Sequence, residues 1–552
     1  QVRDGVANLA DRDVTNGALV AIEPRSGEIV AMVGSVDFND ESIGGQVNVA
    51  LRCRQPGSAI KPLTFLAAFE QGWTPATLIW DVRTEYPNPP NEPYVPRNYD
   101  EKYHGNTLVR AALANSYNIP AVKALEYIGL EGLLEMADRL GVVSLRHPEQ
   151  HCPEYPYDAP PVYGLSLTLG GGETELLEMT AAYAVLAHEG IRIPPTAIRY
   201  IESANGELIA DYRERPGGRV VSAQHAYLIT DILSDYQARC PAFGCPNNLQ
   251  LEGRVAAAKT GTTTDYRDSW TIGYTPELVT GVWVGNSDNS PMKSVPGSQG
   301  AGPIWNGFMT RALADVPAGQ FNRPEGITDM EICADSGTRP SPYCPNTRME
   351  KFVAQQPPPD ASQDLWQVVS IDALSGLRAN EYCPDNRVDK VFFVVPPEQE
   401  TAHDWAVAHG YEQPPEEYCS QGTRPQVRIF SPLHNETLQQ GMIPVRGQVQ
   451  LPNFDRYEMT FGVGSDPQAW GWISGPHLSS VGDGELTVWD TTHLAPGLYT
   501  LRVVAFTRDG MSVEARVLVN IVEPAPQETA EGPPRQIDPP RLGPAPTETP
   551  QP

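Results

Sequence analysis

Arg54–Gln55–Pro56–Gly57–Ser58–Ala59–Ile60–Lys61–Pro62 is the stretch around which the chain is organised. A Pro-Gly turn leads into a serine and a lysine three residues apart. If a helix begins at the serine, Ser58 and Lys61 fall one turn apart on the same face. An amine held there can take the proton of the hydroxyl. A serine needs such a base, because it is a weak nucleophile at neutral pH. The pattern alone is weak: a helix-capping serine followed by a solvated lysine gives the same letters. The apolar run Leu63–Thr64–Phe65–Leu66–Ala67–Ala68–Phe69 continues the segment as a helix.

Towards the N-terminus, Ala18–Leu19–Val20–Ala21–Ile22–Glu23 and Glu28–Ile29–Val30–Ala31–Met32–Val33 flank the turn Pro24–Arg25–Ser26–Gly27. They predict a hairpin of buried strands. Residues 1–16 are polar and predict a linker or the end of a helix. Towards the C-terminus, residues 81–106 predict a long surface loop. A helix over 107–114 ends near Asn115, Ser116–Tyr117–Asn118 follows, and a further helix covers roughly 121–140. The run Gly170–Gly171–Gly172 lacks the Gly-Lys-Ser/Thr ending of a phosphate loop, so it predicts a tight turn with Thr174 as helix cap. Lys259–Thr260–Gly261–Thr262 precedes two apolar runs, 268–274 and 278–285, joined at Thr275–Pro276–Glu277 as an antiparallel hairpin. A helix over 305–313 closes the region. Hairpin, helices, then hairpin predict an α+β domain, an antiparallel sheet packed with helices.

Five segments follow from texture: a linker over 1–16, this domain over 17–318, a Cys/Pro-rich connector over 319–423, an all-β sandwich over 424–523, and a disordered Pro-rich tail over 524–552. The net charge of −28 argues against a nucleic-acid partner. No run of about twenty apolar residues is present to span a bilayer. The opening Gln1–Val2–Arg3–Asp4 suggests a piece of a longer precursor. Eight cysteines in loop-like sequence suit disulfides in an oxidising compartment, first around 333/344 and 383/419. With no Cys-x-x-Cys pair and little histidine near them, no metal site is expected.

Three motifs stand in order in the first domain: Ser58-x-x-Lys61, Ser116–Tyr117–Asn118 and Lys259–Thr260–Gly261. Each is weak alone, but their conjunction is the signature of penicillin-binding proteins and serine β-lactamases. Over roughly residues 1–315 the chain resembles class A penicillin-binding proteins in their transpeptidase half. Ala18–Gly34, Arg54–Pro62 and Ser269–Gly285 also match. The resemblance implies a penicillin-binding fold and a serine acyl-enzyme formed on D-Ala–D-Ala. Ser58 would be the nucleophile and Lys61 its base, neutral if burial and the Lys259 cation lower its proton affinity. Ser116 would pass a proton to the leaving amine, and Asn118 would anchor Lys61 and the substrate amide. Lys259, Thr260 and Thr262 would take the substrate carboxylate. Gly261 would let substrate lie against the strand edge. The Ser58 and Thr262 amides would form the oxyanion hole.

No cofactor is called for. The implied partners are peptidoglycan stem peptides and β-lactam antibiotics, with membrane anchoring through a preceding segment and work on the extracytoplasmic face of the bacterial membrane. Tyr117 stands where class A β-lactamases commonly carry an aspartate. Glu173 and Glu175 fit a surface helix start better than a water-activating site. That favours a D,D-transpeptidase over a D,D-carboxypeptidase or β-lactamase. A non-catalytic β-lactam receptor or wall-binding protein is the alternative of another class. Cys53, five residues before Ser58, is expected to brace the nucleophile through a bridge to Cys152.

Overall fold

The computed structural model describes residues 1–153, 161–213, 215–383, 386–420 and 424–524. The tail expected beyond residue 524, and part of the Pro-rich stretch at 145–163, lie outside the described residues. The chain divides into two compact units, Gln1–Val368 with Val391–Pro414, and Val369–Lys390 with the described residues from Pro415 onward.

The first unit is built on a five-stranded antiparallel sheet. In spatial order its strands are Ala257–Thr262, Asp268–Tyr274, Val279–Gly285, Asn16–Ile22 and Ile29–Val33. Asn16–Ile22, Asp268–Tyr274 and Val279–Gly285 are buried at every position. Continuous apolar runs arise because both faces of the sheet are covered, so neither set of alternating side chains meets water. Ala18, Val20 and Ile22 enter one core with Phe65, Leu66, Leu125, Tyr183 and Ile229. Leu19 and Ala21 enter a second core with Val6, Ile304, Trp305 and Met309. Helices Lys61–Glu70, Asn118–Leu140, Leu176–Ala187 and Ala223–Ser234 cover the first face, and Val2–Ala7 and Ala301–Ala312 cover the other.

Residues 1–16 are therefore not a plain linker. Val2 and Val6 lie one helical turn apart and are buried in the second core. A single apolar pair is too short a pattern to reveal that helix. Thr174 is not a helix cap. It pairs with Arg54, and Glu175 pairs with Cys53, in a two-residue antiparallel ladder before the helix that starts at Leu176. Extended pairing wins there over the local capping bond. Glu175 is accordingly only partly exposed, and burial, then the charge of Glu178, pushes its carboxyl up to about 7. It is a helix start, but not a surface one.

The connector does not stand as a unit of its own. Its hairpin, Ile327–Cys333 with Thr347–Val353, is fastened to the helices beside the five-stranded sheet by Arg110. The Arg110 guanidinium donates to both oxygens of the buried Glu350 carboxylate at 2.7 and 2.5 Å, and to Asp231 at 2.6 Å. In the second unit, eight strands form a three-stranded sheet, Gln426–Ser431, Met442–Gln450 and Val481–Asp490, and a five-stranded one. One core, including Val445, Met459, Trp489, Leu501 and Val519, draws on both sheets. Glu436–Gln439 and Gly471–His477 are strands that patterning misses; proline, glycine and half-exposed polar residues hide them.

Disulfides join Cys53 to Cys152, Cys240 to Cys245, Cys333 to Cys344 and Cys383 to Cys419. Among the described residues, no helix is long and apolar enough to cross a membrane. Cys53–Cys152 closes the longest loop, a separation of 99 residues, so its removal restores the most freedom to the unfolded chain. The double substitution Cys53→Ala/Cys152→Ala is expected to destabilise the first unit by about 2–4 kcal/mol. Denaturant titration under non-reducing conditions reads the loss, and an unchanged midpoint would refute it.

Candidate active site

Ser58 sits in a 3-10 turn, Gly57–Ile60, and the α-helix proper begins at Lys61. In such a turn, side chains three residues apart eclipse each other, so the serine and lysine share one side. Ser58 is half-buried, whereas Lys61 is fully enclosed. The turn is set by Gly57, whose φ is +55°. A Cβ there would lie 2.6 Å from the Thr262 carbonyl oxygen and 2.7 Å from its amide nitrogen. On the other side of the contact, a Cβ on Gly261 would strike the Pro56 carbonyl. The Ser58 turn and the motif strand thus meet backbone to backbone. The Gly170 end of the Gly run packs on Gly57 as well, which accounts for that run better than its turn alone.

The second motif lies at the start of helix Asn118–Leu140. Ser116 takes a left-handed backbone, φ +62°, which is unfavourable for a residue with a Cβ. That conformation turns two carbonyls and a hydroxyl towards Lys61. Lys61 Nζ lies 2.6 Å from Ser116 O, 3.1 Å from Tyr117 O, 2.7 Å from Asn118 Oδ1 and 3.5 Å from Ser116 Oγ. From the opposite wall, Lys259 Nζ donates to Ser116 Oγ at 2.7 Å and to Thr260 O at 2.9 Å. The Ser116 hydroxyl therefore stands between two amines.

Both amines are buried. Burial first, and then the charge of Lys259, holds Lys61 well below the usual lysine range, against an opposing pull from Asp81. Burial, then the charge of Arg239, lowers Lys259 to about 7. Arg239 is itself buried, donating to the Leu249 and Leu233 carbonyls, and burial lowers it to about 10. Among the described residues, no carboxylate hydrogen-bonds Ser58, Lys61, Ser116 or Lys259.

Ala257–Thr262 is an edge strand, so its outer side is open for a further extended segment to pair. Lys259 and Gly261 share the face turned to Ser116 and Pro56. Thr260 and Thr262 alternate with them, and Thr262 Oγ1 accepts from the Gly297 amide at 2.9 Å. The structure thus gathers Ser58, Lys61, Ser116, Asn118, Lys259 and Gly261 at one place. Thr260 touches the group through its carbonyl.

Sequence reasoning missed Arg239, and it missed Asp81, Asn98 and His104 behind the second motif. Asn98 Oδ1 accepts from the Asn118 amide at 2.7 Å, and Asn98 Nδ2 donates to Asp81 at 2.7 Å. These residues lie in a stretch read only as loop, and no short motif marks them. Two clusters, Cys333/Cys344/Asp364 and Asp372/Cys383/Cys419, have metal-like proximity. Their cysteines are disulfide-bonded, so no thiolate is left to ligate.

A family model described as the penicillin binding protein transpeptidase domain matches residues 17–304, and one for the penicillin-binding protein 1A C-terminal domain matches 323–363. Penicillin-binding protein 1A of Aquifex aeolicus is 35% identical over 311 residues, 56% of this chain and 39% of that protein. Penicillin-binding protein 2D of Bacillus subtilis is 31% identical over 339 residues, 60% of this chain and 46% of that protein. The chain thus spans less than half the length of these curated relatives. Among solved structures, penicillin-binding protein 1A of Haemophilus influenzae matches with a TM-score of 0.53 and 26% identity, over 62% of this chain and 54% of that one. A penicillin-binding protein of Mycobacterium tuberculosis matches with 0.50 and 27%, over 58% and 84%.

The Gly57 contact gives a direct expectation. Gly57→Ala forces a left-handed alanine against Thr262, costing about 1–2 kcal/mol in backbone conformation before the clash is counted. A lowered melting temperature is expected, with Ser58 reactivity towards an acylating probe reduced more than about tenfold, because small misplacements of reacting groups weigh heavily on rate. Wild-type reactivity in the variant would refute the close-contact reading.

Proposed function

Because the chain belongs to the penicillin-binding protein transpeptidase family, we propose that it is a peptidoglycan D,D-transpeptidase, acylated on Ser58 by the D-Ala–D-Ala end of a stem peptide or by a β-lactam. The observation that carries this reading is the Ser116 hydroxyl placed between the buried amines of Lys61 and Lys259.

Lys61 takes the Ser58 proton. Its burial without a carboxylate partner favours the neutral amine that a base requires. Ser58 Oγ attacks the peptide carbonyl and the C–N bond to the terminal D-Ala breaks. The Ser116 hydroxyl delivers a proton to the departing amine and is re-protonated from the lysines. Asn118 Oδ1 holds Lys61, while its Nδ2 donates to the Arg97 carbonyl at 2.7 Å. The amides of Ser58 and Thr262, brought close by the Gly57 contact, receive the oxyanion.

Lys259, Thr260 and Thr262 form the end that takes the substrate carboxylate. Lys259 is drawn down to about 7 when no anion is present. An arriving carboxylate supplies the missing counter-charge and favours the ammonium form. That charge in turn disfavours a proton on Lys61, so binding readies the base. Of the two carboxylates weighed for activating water, Glu173 and Glu175, Glu175 stands in the ladder opposite Cys53, and among the described residues no hydrogen bond joins either carboxylate to Ser58. That supports transfer to an amine acceptor over hydrolysis.

We place the work on the extracytoplasmic side of the bacterial membrane, where this substrate is found, and read 17–318 as the catalytic domain. The two-sheet unit is read as an immunoglobulin- or fibronectin-like sandwich, on the support of its single shared core.

Labelling with a fluorescent penicillin tests the nucleophile. Covalent label is expected on the wild type and not on Ser58→Ala; equal label on both would sink the serine mechanism. Products formed from a D-Ala–D-Ala donor with an amine acceptor then separate transfer from hydrolysis. A second expectation concerns the base. Lys61→Arg keeps a cation that cannot be deprotonated, and should slow acylation by about 10²–10⁴-fold, the usual contribution of a positioned base. In the wild type the acylation rate should fall as pH drops through the lowered Lys61 value, since protonation removes the base. A pH-independent rate from 5 to about 9 would contradict that assignment.

A further inference from the structure

Behind the Ser116–Asn118 turn lies a group of side chains that the acylation mechanism does not use. Asp81 ends the strand Leu78–Asp81, and its side chain is fully buried. His104 immediately precedes the partner strand Gly105–Leu108, in which Gly105 stands opposite Asp81. The ladder therefore fixes both backbones. His104 Nδ1 lies 2.6 Å from Asp81 Oδ2, and His104 Nε2 lies 3.1 Å from Asp100 Oδ2. A carboxylate only accepts, so both ring nitrogens must carry protons to make both bonds. A neutral imidazole can make one of them. The geometry is that of an imidazolium between two carboxylates.

The imidazolium lies flat on the Tyr117 ring, with centroids 3.8 Å apart and planes 14° apart. Asp81 is tied to the helix start by Asn98. The Asn98 amide donates to both Asp81 oxygens, at 2.9 and 2.7 Å, while its oxygen accepts from the Asn118 amide. His104 and Asn98 thus grip the turn whose carbonyls hold the Lys61 amine, one through a ring face and the other through the backbone.

We propose that Asp81 and His104 are positioning residues for acylation: an imidazolium–carboxylate pair that clamps the Ser116–Asn118 turn from behind and keeps a buried negative charge close to Lys61 compensated. The inference rests on the Ser58 chemistry proposed above. Its physical basis is the small distance over which buried charges act with little screening. Asp81 favours a proton on Lys61, and His104 offsets that pull. On the ring itself, burial lowers proton affinity, but the hydrogen bond and charge of Asp81, then Asp100, outweigh it, and the net direction is upward.

The other charged and titratable groups around the pair keep it in this state. Lys123 donates to the Trp80 carbonyl at 2.8 Å and also feels Asp81. Burial, then Asp100 and Asp81, pushes the Tyr117 phenol up to about 12, so it stays neutral. Arg110 and Arg348 line the same cavity of about 360 Å³ as His104 and Tyr117, and are engaged with Glu350.

The test is the pH dependence of acylation by a fluorescent penicillin, measured on the full chain as wild type, Asp81→Asn and His104→Gln. Asp81→Asn removes the charge that helps Lys61 keep its proton, so the acid limb should move to lower pH. His104→Gln leaves that charge uncompensated, so the limb should move to higher pH. Displacements of roughly half to one pH unit are expected, and at the wild-type midpoint the His104→Gln rate should drop about twofold to fivefold. Loss of packing alone would lower the rates without moving the two limbs in opposite directions. His104 is at the partly exposed edge of the group, so its variant is the decisive one should Asp81→Asn fail to fold. An unmoved or downward-moved limb in a folded His104→Gln protein overturns the inference. Absence of label on the wild type at every pH would instead overturn the Ser58 reading.

Discussion

The site depends on one amine kept out of water and, among the described residues, hydrogen-bonded to no carboxylate. An isolated ammonium buried in this way is penalised by several kcal/mol, which pushes Lys61 down from the usual lysine range. The three oxygens around Lys61 Nζ hold the amine in place, and none of them belongs to a carboxylate. A carboxylate there would make a stable ion pair and a useless base. The other features follow from this demand. Ser116 accepts a left-handed backbone because only that turn offers its own carbonyl, the next one and the hydroxyl to one amine. Such strain persists only where the surroundings over-determine it. Here they do so through the Asn98 cap on one side and Lys259 on the other.

Lys259 can do this only if its strand cannot shift. The edge strand Ala257–Thr262 is paired in register along its length to Asp268–Tyr274, which is buried on both faces. Sliding the strand by one residue would exchange Lys259 and Gly261 for their neighbours and expose apolar side chains across the sheet. The two covered faces therefore matter to the chemistry as well as to stability. The contact of Gly57 with Thr262 then fixes the nucleophile turn against that rigid edge at backbone precision, and the Cys53–Cys152 bridge holds the segment leading into it. Loops carry the reacting groups, but close-packed backbone positions them.

Much of the candidate site was legible in the sequence because its residues lie in short local motifs. Ser58 and Lys61 are neighbours through turn geometry, and the apolar runs at 18–33 and 268–285 announce a buried sheet. A bridge from Cys53 was raised by its place just before Ser58, but its partner, Cys152, is fixed only by the fold. What was not legible depends on contacts between distant residues. Asp81 and His104 are 23 positions apart and look like ordinary loop residues until a two-strand ladder sets Asp81 opposite Gly105, the residue after His104. Arg239 gives no local sign of lying beside Lys259. Val2 and Val6 are too few to show a period, and Thr174 follows the chain it pairs with rather than the helix it precedes. The connector's hairpin joins the first unit through residues distant in sequence: Arg110 bonds Glu350, 240 positions away, and Ile332 and Phe352 pack with Ala76 and Leu108.

The charges at the site run against those of the molecule. A chain of net charge −28 encloses Lys61, Lys259 and Arg239 together, with Asp81 the carboxylate acting on Lys61 and already matched by His104. Excess buried positive charge is unfavourable in the protein without ligand, and it lowers the proton affinity of both lysines. An anionic ligand reverses this for Lys259, which lies on the strand edge, more than for Lys61, which is enclosed behind Ser116. One carboxylate can thereby charge the outer amine and, through it, discourage a proton on the inner one. On this reading, substrate recognition and base activation are the same electrostatic event. A ligand lacking the carboxylate would lose reactivity as well as affinity, since nothing else at the strand edge would charge Lys259.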